Sequence, residues 1–422
     1  MKILFLPNTY VIESAFNIPS FTNLHRGIMD AIRDIDAGIM IYDQHVDLKE
    51  LYRSGAYMQF DGIIGKVDLA PSWKRDCWDV IRSKVPSVCI IEEHREPCRY
   101  VGVDETAALD LLVGHLASEG FRRIGFFAPA YTSYCLKRYR GYRDALAVRG
   151  LPLEQRHVYG IDIAKDSFST EVYYRRRPRA KDMPYWDFIR MTVREYLKRT
   201  PLPEAVICCT DAMAWVFMEE AAANGLRIPE HVAVCGIDDG RYFGERYRVP
   251  DAYLEKPFLT SVSVPYYDIG SMGVYMLADI ASGMDIPADR KILLPPRLAV
   301  RRSTVKRSAV RPHGDVQFYN SAASFIEEHY RESGLSEKLS NRFEMSKKYF
   351  SQKFKREFGS TFVTRVNDFR LDKAARYLAG THRPVIDIMF GSGFNSVPNF
   401  NTLFRKKFGC TPSVYRKRRL QS

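Results

Sequence analysis

Two rhythms of apolar residues divide the chain. Up to about residue 300, short β-rich runs (Ile3–Pro7, Gly62–Gly65, Ser87–Ile91, Arg123–Phe127, Ala205–Cys209 and Val232–Gly236) alternate with amphipathic helical stretches. Several runs are apolar almost throughout, as strands buried on both faces are, and the alternation predicts a parallel sheet flanked by helices. Ligands of such sheets bind beyond the carboxyl ends of the strands. The residues standing there are polar: Asn8, Lys66, Thr210 with Asp211, and Asp238 with Asp239. Asp211 also precedes the helical run Ala212–Asn224, which Gly225 and Pro229 end. A role as helix N-cap explains it as well as ligand binding does.

The segment STVKRSAVRPHG (Ser303–Gly314) has no apolar periodicity and contains Pro and Gly, which marks a linker. After it the pattern is helical throughout, and two segments about 50 residues apart repeat one plan. MSKKYFSQKFKREFG (Met345–Gly359) offers a capping Ser and places Phe350 and Phe354 on one face. NSVPNFNTLFRKKFG (Asn395–Gly409) offers Ser396 as cap, Pro398 in the first turn where a missing N–H costs nothing, and Phe400 with Phe404. The opposite faces carry Lys347, Lys348, Ser351, Gln352 and Lys355 on the first, and Val397, Asn401, Thr402, Arg405 and Lys406 on the second. Short side chains able to reach base edges are flanked by cations able to meet phosphates, as a helix in the major groove requires. By pattern alone a plain helical bundle reads equally well.

Charge separates these readings. The 422 residues make two or three domains at about 100–200 residues each. Up to Val310 there are 42 basic and 40 acidic residues, and from Arg311 onward 21 and 10. A neutral module joined to a basic one points to a polyanionic partner, double-stranded DNA first. The run YYRRRPRAK (Tyr173–Lys181) is expected as a solvated loop. MKILFLPNTYV at the N-terminus reads as a first strand and not as a signal peptide, and no stretch approaches about 20 apolar residues, so no membrane partner is expected. Eight scattered cysteines read as buried free thiols of a reducing cytoplasm. Phosphate-loop, nucleophile-elbow and zinc-helix motifs are missing, and His94 with Cys98 is the one loose ligand spacing, where a structural metal site needs about four ligands. The expectation is a non-enzyme with no metal and no cofactor.

Four blocks carry a specific resemblance. VGVDETAALDLLVGHLASEGFRRIGFFAP (Val101–Pro129), RYRGYRDAL (Arg138–Leu146), PEAVICCTDAMAWVFMEEAAANGLRIPEHVAVCGIDD (Pro203–Asp239) and ILLPPRLAVRRST (Ile292–Thr304) resemble, in this order, the sugar-sensing core of LacI/GalR repressors. The resemblance implies, over residues 1–304, two Rossmann-like lobes joined by three crossovers, a small-molecule cleft between them and dimerisation through the lobes. The family's cleft positions fall on Asp104, Arg138, Thr210 or Asp211, and Asp238. This chemistry suits a sugar effector, because aspartates accept from paired hydroxyls, an Arg fork donates to ring oxygens, and an aromatic such as Trp186 can stack on the ring. Asn8 and Lys66 complete the expected ligand set, with Lys66 as a cation that selects among sugars. The plainer readings are a surface salt bridge for Arg138, a turn cap for Asp238 and a core position for Trp186. LacI-type repressors carry their DNA-reading helices ahead of the first strand, whereas this chain opens on that strand, so a reader must lie elsewhere.

Residues 316–416, ending in GFNSVPNFNTLFRKKFGCTPSVYR (Gly393–Arg416), resemble the AraC/XylS DNA-binding domain. That implies seven helices holding two helix-turn-helix units around a central helix, here about Thr361–Ala379. Ser340 and Met389 stand where the family usually has Ala, and the first unit, LSEKLSNRFEMS, is one residue short, so tilted supporting helices are expected. The expected architecture is an α/β, two-lobed LacI/periplasmic-binding-protein-like sensor over 1–304, a linker over 305–313, and an all-α double helix-turn-helix domain over 314–422. The resemblances together imply a cytoplasmic, homodimeric, sugar-responsive transcription factor on operator DNA, an activator of a xylose-like carbohydrate operon that works with RNA polymerase. Two alternatives stay open: a constitutive DNA-binding regulator with a degenerate sensor, and a non-regulatory sugar-binding protein, which would need an export signal.

Overall fold

In the computed structural model, the apolar runs of the first 300 residues become the strands of two six-stranded sheets. The structure describes residues 1–6, 19–41, 48–65, 72–91, 98–129, 133–169, 185–239, 258–305 and 316–420. Strands β1 (Lys2–Leu6), β2 (Gly38–Ile41), β3 (Gly62–Gly65), β4 (Ser87–Ile90) and β5 (Tyr100–Val103) belong to the first sheet. The second sheet takes β6 (Ile124–Phe127) and β7 (Val158–Tyr159), while β8 (Ile161–Asp162) and β9 (Ser167–Phe168) form a separate antiparallel pair. Then follow β10 (Ala205–Cys208), β11 (Ala233–Ile237), β12 (Thr260–Ser263), β13 (Lys291–Leu294) and β14 (Arg297–Ala299).

The sheet orders are β13-β5-β4-β3-β1-β2 and β14-β12-β11-β10-β6-β7. Every pair is parallel except β12 with β14. The chain therefore passes between the sheets after β5, after β12 and after β13, the three crossovers of a two-lobed sensor. Strands β3, β5, β6, β10 and β11 are buried at every residue; β3, β6, β10 and β11 accordingly read as apolar runs, whereas β5 is not among the runs that the sequence predicts.

Helices cover both sheets: α1 (Pro19–Asp34), α2 (Leu48–Ser54), α3 (Ser72–Lys84), α4 (Glu105–Ser118), α5 (Ser133–Val148), α6 (Tyr185–Leu197), α7 (Asp211–Ala223) and α8 (Tyr266–Ala281). In the first lobe Trp78 and Ile81 of α3 meet Leu4, Ile63, Leu51 and Tyr100 in one core. In the second lobe Phe127 stands edge-on to Tyr196 and Phe217, with centroids 5.6 and 5.8 Å away. Burying such side chains contributes about 1.5–3 kcal/mol each. All eight cysteines are buried thiols, none of them in a disulfide.

The basic quarter folds as seven helices: α9 (Val316–His329), α10 (Leu335–Arg342), α11 (Lys347–Phe358), α12 (Phe362–Gly380), α13 (Val385–Gly391), α14 (Val397–Phe408) and α15 (Pro412–Leu420). Phe350 and Phe354 of α11 pack with Phe318 and Phe362, and Phe400 and Phe404 of α14 pack with Phe394 and Tyr415. The missing residue of the first unit is found in its turn, which spans residues 343–346 where the second spans 392–396. The larger residues in the supporting helices are fully enclosed. Ser340 turns its hydroxyl onto the Glu337 carbonyl at 3.0 Å inside α10, and Met389 is buried in α13.

Backbone contacts divide the chain into two compact units. One contains Met1–Ser271 with Ala288–Val310, the other Met272–Pro287 with Arg311–Ser422. The boundary thus differs from the expected division at 304 and 314, since the last part of α8 belongs with the C-terminal helices. Among the described residues no helix is long and apolar enough to cross a membrane, and no group of three or more His, Cys, Asp or Glu side chains is placed to hold a metal ion.

Candidate ligand site and nucleic-acid interface

Strand ends and first helical turns in the sensor bring one cation and two carboxylates together. Arg138, in α5, is 4 % exposed. Its Nε donates to Glu105 Oε2 at 2.8 Å and its Nη2 to Glu105 Oε1 at 3.2 Å, while Nη1 donates to the Cys209 carbonyl. Nη2 lies 3.7 Å from Asp238 Oδ1, and the guanidinium sits 4.9 Å from the centroid of the Tyr134 ring. Asp238 Oδ1 accepts the Tyr266 hydroxyl at 2.7 Å. Burial works against the Arg138 charge, but Glu105 and Asp238 outweigh it and hold its pKa above the ordinary arginine value. Burial, and then the charge of Asp238, pushes the Tyr266 phenol up.

Three of the five guanidinium N–H groups are committed to protein oxygens, and Nη2, which carries one of the remaining two, is the nitrogen 3.7 Å from Asp238 Oδ1. A hydroxyl both accepts and donates, so it fits between the Nη2 of Arg138 and the Oδ1 of Asp238. The Asp238 backbone has φ 121, a conformation that costs a non-glycine residue strain. A hydrogen bond from its N–H to the Val262 carbonyl at 2.8 Å helps hold it there.

The other expected ligand residues divide. Asp104 is the N-cap of α4, its Oδ1 accepting from the Ala107 N–H at 3.0 Å, and the next residue, Glu105, takes the arginine. Thr210, not Asp211, caps α7, accepting from the Met213 N–H at 3.3 Å. Asp211 is the first helical residue and is turned inward, where its Oδ1 accepts the Ser261 hydroxyl at 2.7 Å. A Cβ on Gly236 would stand 2.1 Å from that same oxygen, so the close approach of β11 to Asp211 needs a glycine. Trp186 stands half-buried in the first turn of α6. Asn8, Lys66, His94 and the run 173–181 lie outside the described residues.

Glu105, Tyr134 and Tyr266 were not singled out from the sequence. A signal for Glu105 existed. A helix-capping Asp spends its carboxylate on the first turn, so in an Asp-Glu pair the second residue is the free one.

The two repeated helices present the faces that their patterns require. Ser346 and Ser396 cap α11 and α14, accepting from the N–H groups of Tyr349 and Asn399 at 3.3 and 3.5 Å. Gly359 and Gly409 close them at φ 67 and 73, a left-handed conformation that favours glycine. With Phe350, Phe354, Phe400 and Phe404 turned inward, all ten candidate contact residues (Lys347, Lys348, Ser351, Gln352 and Lys355; Val397, Asn401, Thr402, Arg405 and Lys406) are exposed. Two have local partners: the Ser351 hydroxyl donates to the Lys347 carbonyl at 2.8 Å, and Lys347 Nζ is 3.0 Å from Glu337, both of them exposed.

Residues 113–304 match the model of a periplasmic binding protein-like domain, and residues 339–418 that of a helix-turn-helix domain. The xylose operon regulatory protein of Escherichia coli (strain K12) is 24 % identical over 330 residues, covering 77 % of this chain and 76 % of that protein. The NTD biosynthesis operon regulator NtdR of Bacillus subtilis (strain 168) is 25 % identical over 296 residues, covering 68 % and 78 %. The solved structure of the xylose-binding transcription activator xylR superposes with a TM-score of 0.51 at 21 % identity, covering 99 % of this chain and 97 % of that one.

Proposed function

We propose, from the premise that this chain joins a periplasmic-binding-protein-like sensor to a C-terminal AraC-type helix-turn-helix domain and is homologous to xylose operon regulators, that it adjusts transcription of a carbohydrate operon in response to a monosaccharide. The observation that carries this reading is the buried Arg138, whose Nη2 lies 3.7 Å from Asp238 Oδ1, at strand ends of a sensor continuous with two exposed, capped reading helices. A pentose such as xylose offers adjacent hydroxyls that accept from Arg138 and donate to Asp238. The reading includes a homodimer acting in the cytoplasm on operator DNA, activation through RNA polymerase, and no catalytic step.

Calorimetry of the full chain against a panel of pentoses and hexoses tests it, together with operator affinity measured with and without each sugar. Saturable binding of a pentose with a change in operator affinity is expected. A ligand moves such an equilibrium only by its differential affinity for the two states. A sugar that binds without changing DNA affinity refutes the regulatory reading, and a panel that gives no binding refutes the sensor.

A further inference from the structure

We propose that α8 carries the state of the ligand site to the DNA reader, with Tyr275, Asp279 and Arg383 as the positioning residues that couple them. The inference rests on the reading of Asp238 as a ligand carboxylate. Helix α8 starts in the sensor unit, where the hydroxyl of its first residue, Tyr266, is held by Asp238 Oδ1 at 2.7 Å. From Met272 onward the same helix belongs to the unit that contains the reader.

Within that second unit the contacts are specific. Tyr275, 4 % exposed, accepts from Arg383 Nη1 at 2.8 Å, and the guanidinium also covers its ring at 4.4 Å from the centroid. The ring stands edge-on to Tyr377 of α12, with centroids 6.1 Å apart. One turn further on, Asp279 Oδ2 accepts the His382 N–H at 3.3 Å. Arg416 of α15 donates its Nη2 to the Arg383 carbonyl.

His382 and Arg383 lie between α12 and α13, and α13 leads into α14, so this short connection sets where the second helix-turn-helix unit begins. Tyr266 and Asp279 are thirteen residues apart on one uninterrupted helix, about 20 Å at 1.5 Å per residue. A sugar hydroxyl donating to Asp238 competes with the Tyr266 hydroxyl for the same oxygen. The hold of Asp238 on the first turn of α8 then weakens, while the Tyr267 hydroxyl keeps that turn on Asp30 Oδ2 at 2.8 Å, and a pivot of the helix about this second contact carries Tyr275 and Asp279 with it. Coupling of this kind is an equilibrium between two arrangements of one element, biased from both ends.

The test is hydrogen exchange of the full chain, with and without a duplex that the full chain has selected from a randomised library. In the unmodified protein, duplex binding is expected to change exchange in the reader and also in peptides covering Ile237–Asp239 and Tyr266–Ser271. In the double variant Tyr275→Phe with Asp279→Asn, which keeps the ring and the side-chain volumes, the reader change should persist and the sensor change should disappear. In the sugar arm, saturating D-xylose should shift the operator affinity of the unmodified protein by about 5- to 150-fold. In the variant that ratio should collapse toward one while D-xylose affinity without DNA holds. A duplex that leaves the sensor peptides unchanged in the unmodified protein overturns the proposal, as does a variant with the full sensor response. Failure of D-xylose and the rest of the sugar panel to bind counts against the proposed function alone, because the exchange arm still decides on α8.

Discussion

Replacing Arg138 with Ala removes the cation from between two carboxylates. Its side chain is 5 % exposed, with Glu105 at 12 % and Asp238 at 20 %. Removing one partner of a buried ion pair costs about 3–5 kcal/mol, because the other charge is left without compensation. Arg138→Ala strands two carboxylates, so its cost belongs near the upper end. Glu105→Ala leaves the guanidinium with Asp238 at 3.7 Å and the Cys209 carbonyl, which places it near the lower end. The double variant removes both charges of the tightest contact, and its cost should fall short of the summed single costs by about 0.5–3 kcal/mol.

The assay follows from the distribution of tryptophan. All four, Trp73, Trp78, Trp186 and Trp215, lie in the sensor unit, so urea unfolding followed by tryptophan fluorescence reports the sensor without the reader. At a temperature where the double variant remains folded, calorimetry should show sugar binding weakened by about 1–3 kcal/mol through the lost hydrogen bonds. An Arg138→Ala protein as stable as the parent, or a double variant whose cost equals the sum of the singles, refutes the buried pair. Normal sugar affinity in the double variant removes Arg138 from the site.

Other outcomes follow from single contacts. Gly236→Ala forces a Cβ to within 2.1 Å of Asp211 Oδ1 and should destabilise the sensor by about 1–3 kcal/mol; an unchanged urea midpoint would contradict the close packing. His115, with Nε2 2.8 Å from Thr304 Oγ1, has its pKa lowered by burial, so the unfolded chain takes up this proton first as the pH falls. Its contribution is intact above about pH 6.5 and declines as the pH drops through that value toward the lower folded pKa. His115→Gln should therefore shrink the stability difference between pH 7.5 and 5.5, and an unchanged difference would rule that source out. Asn401→Ala should cost about 1–3 kcal/mol and relax preference at one operator base, whereas Lys355→Ala should weaken all sequences alike and shallow the salt dependence by about one unit. Operator libraries varied one position at a time separate these outcomes, and an even loss across positions for Asn401→Ala would make it a positioning contact.

Most strands that could be read from the sequence are apolar and buried on both faces, although β5, buried at every residue, is missing from them. Strand β12 escapes that rule because its Thr260 and Ser261 are buried polar residues. The Thr260 N–H and hydroxyl donate to Ser303 Oγ and the Arg301 carbonyl at 2.8 and 2.9 Å, and the Ser261 hydroxyl donates to Asp211. A strand satisfied by a segment some 40 residues away has no local apolar signature. Edge strand β2 is mostly exposed, and β13 alternates exposed with buried positions, so neither forms the continuous run that marks the central strands.

The same distinction explains why helices α11 and α14 were legible and the group around Arg138 only partly so. Each reading helix is fixed by signals inside fifteen residues: a capping Ser, two Phe residues four apart, and a terminal Gly. The Arg138 group is instead assembled across the sheet, with Glu105 33 residues and Cys209 71 residues from the arginine. Spacing cannot show which carboxylate faces a cation at that separation. The resemblance to LacI/GalR sensors pointed to Asp104, whose Oδ1 accepts from the Ala107 N–H of its own helix, and not to its neighbour. What selects Glu105 is helix geometry: an N-cap points back along the backbone, while the first helical residue projects sideways toward the packed neighbour, here α5. Any sensor of this layout with an Asp-Glu pair opening the helix after β5 should hold its cation with the second carboxylate and leave the first to the helix.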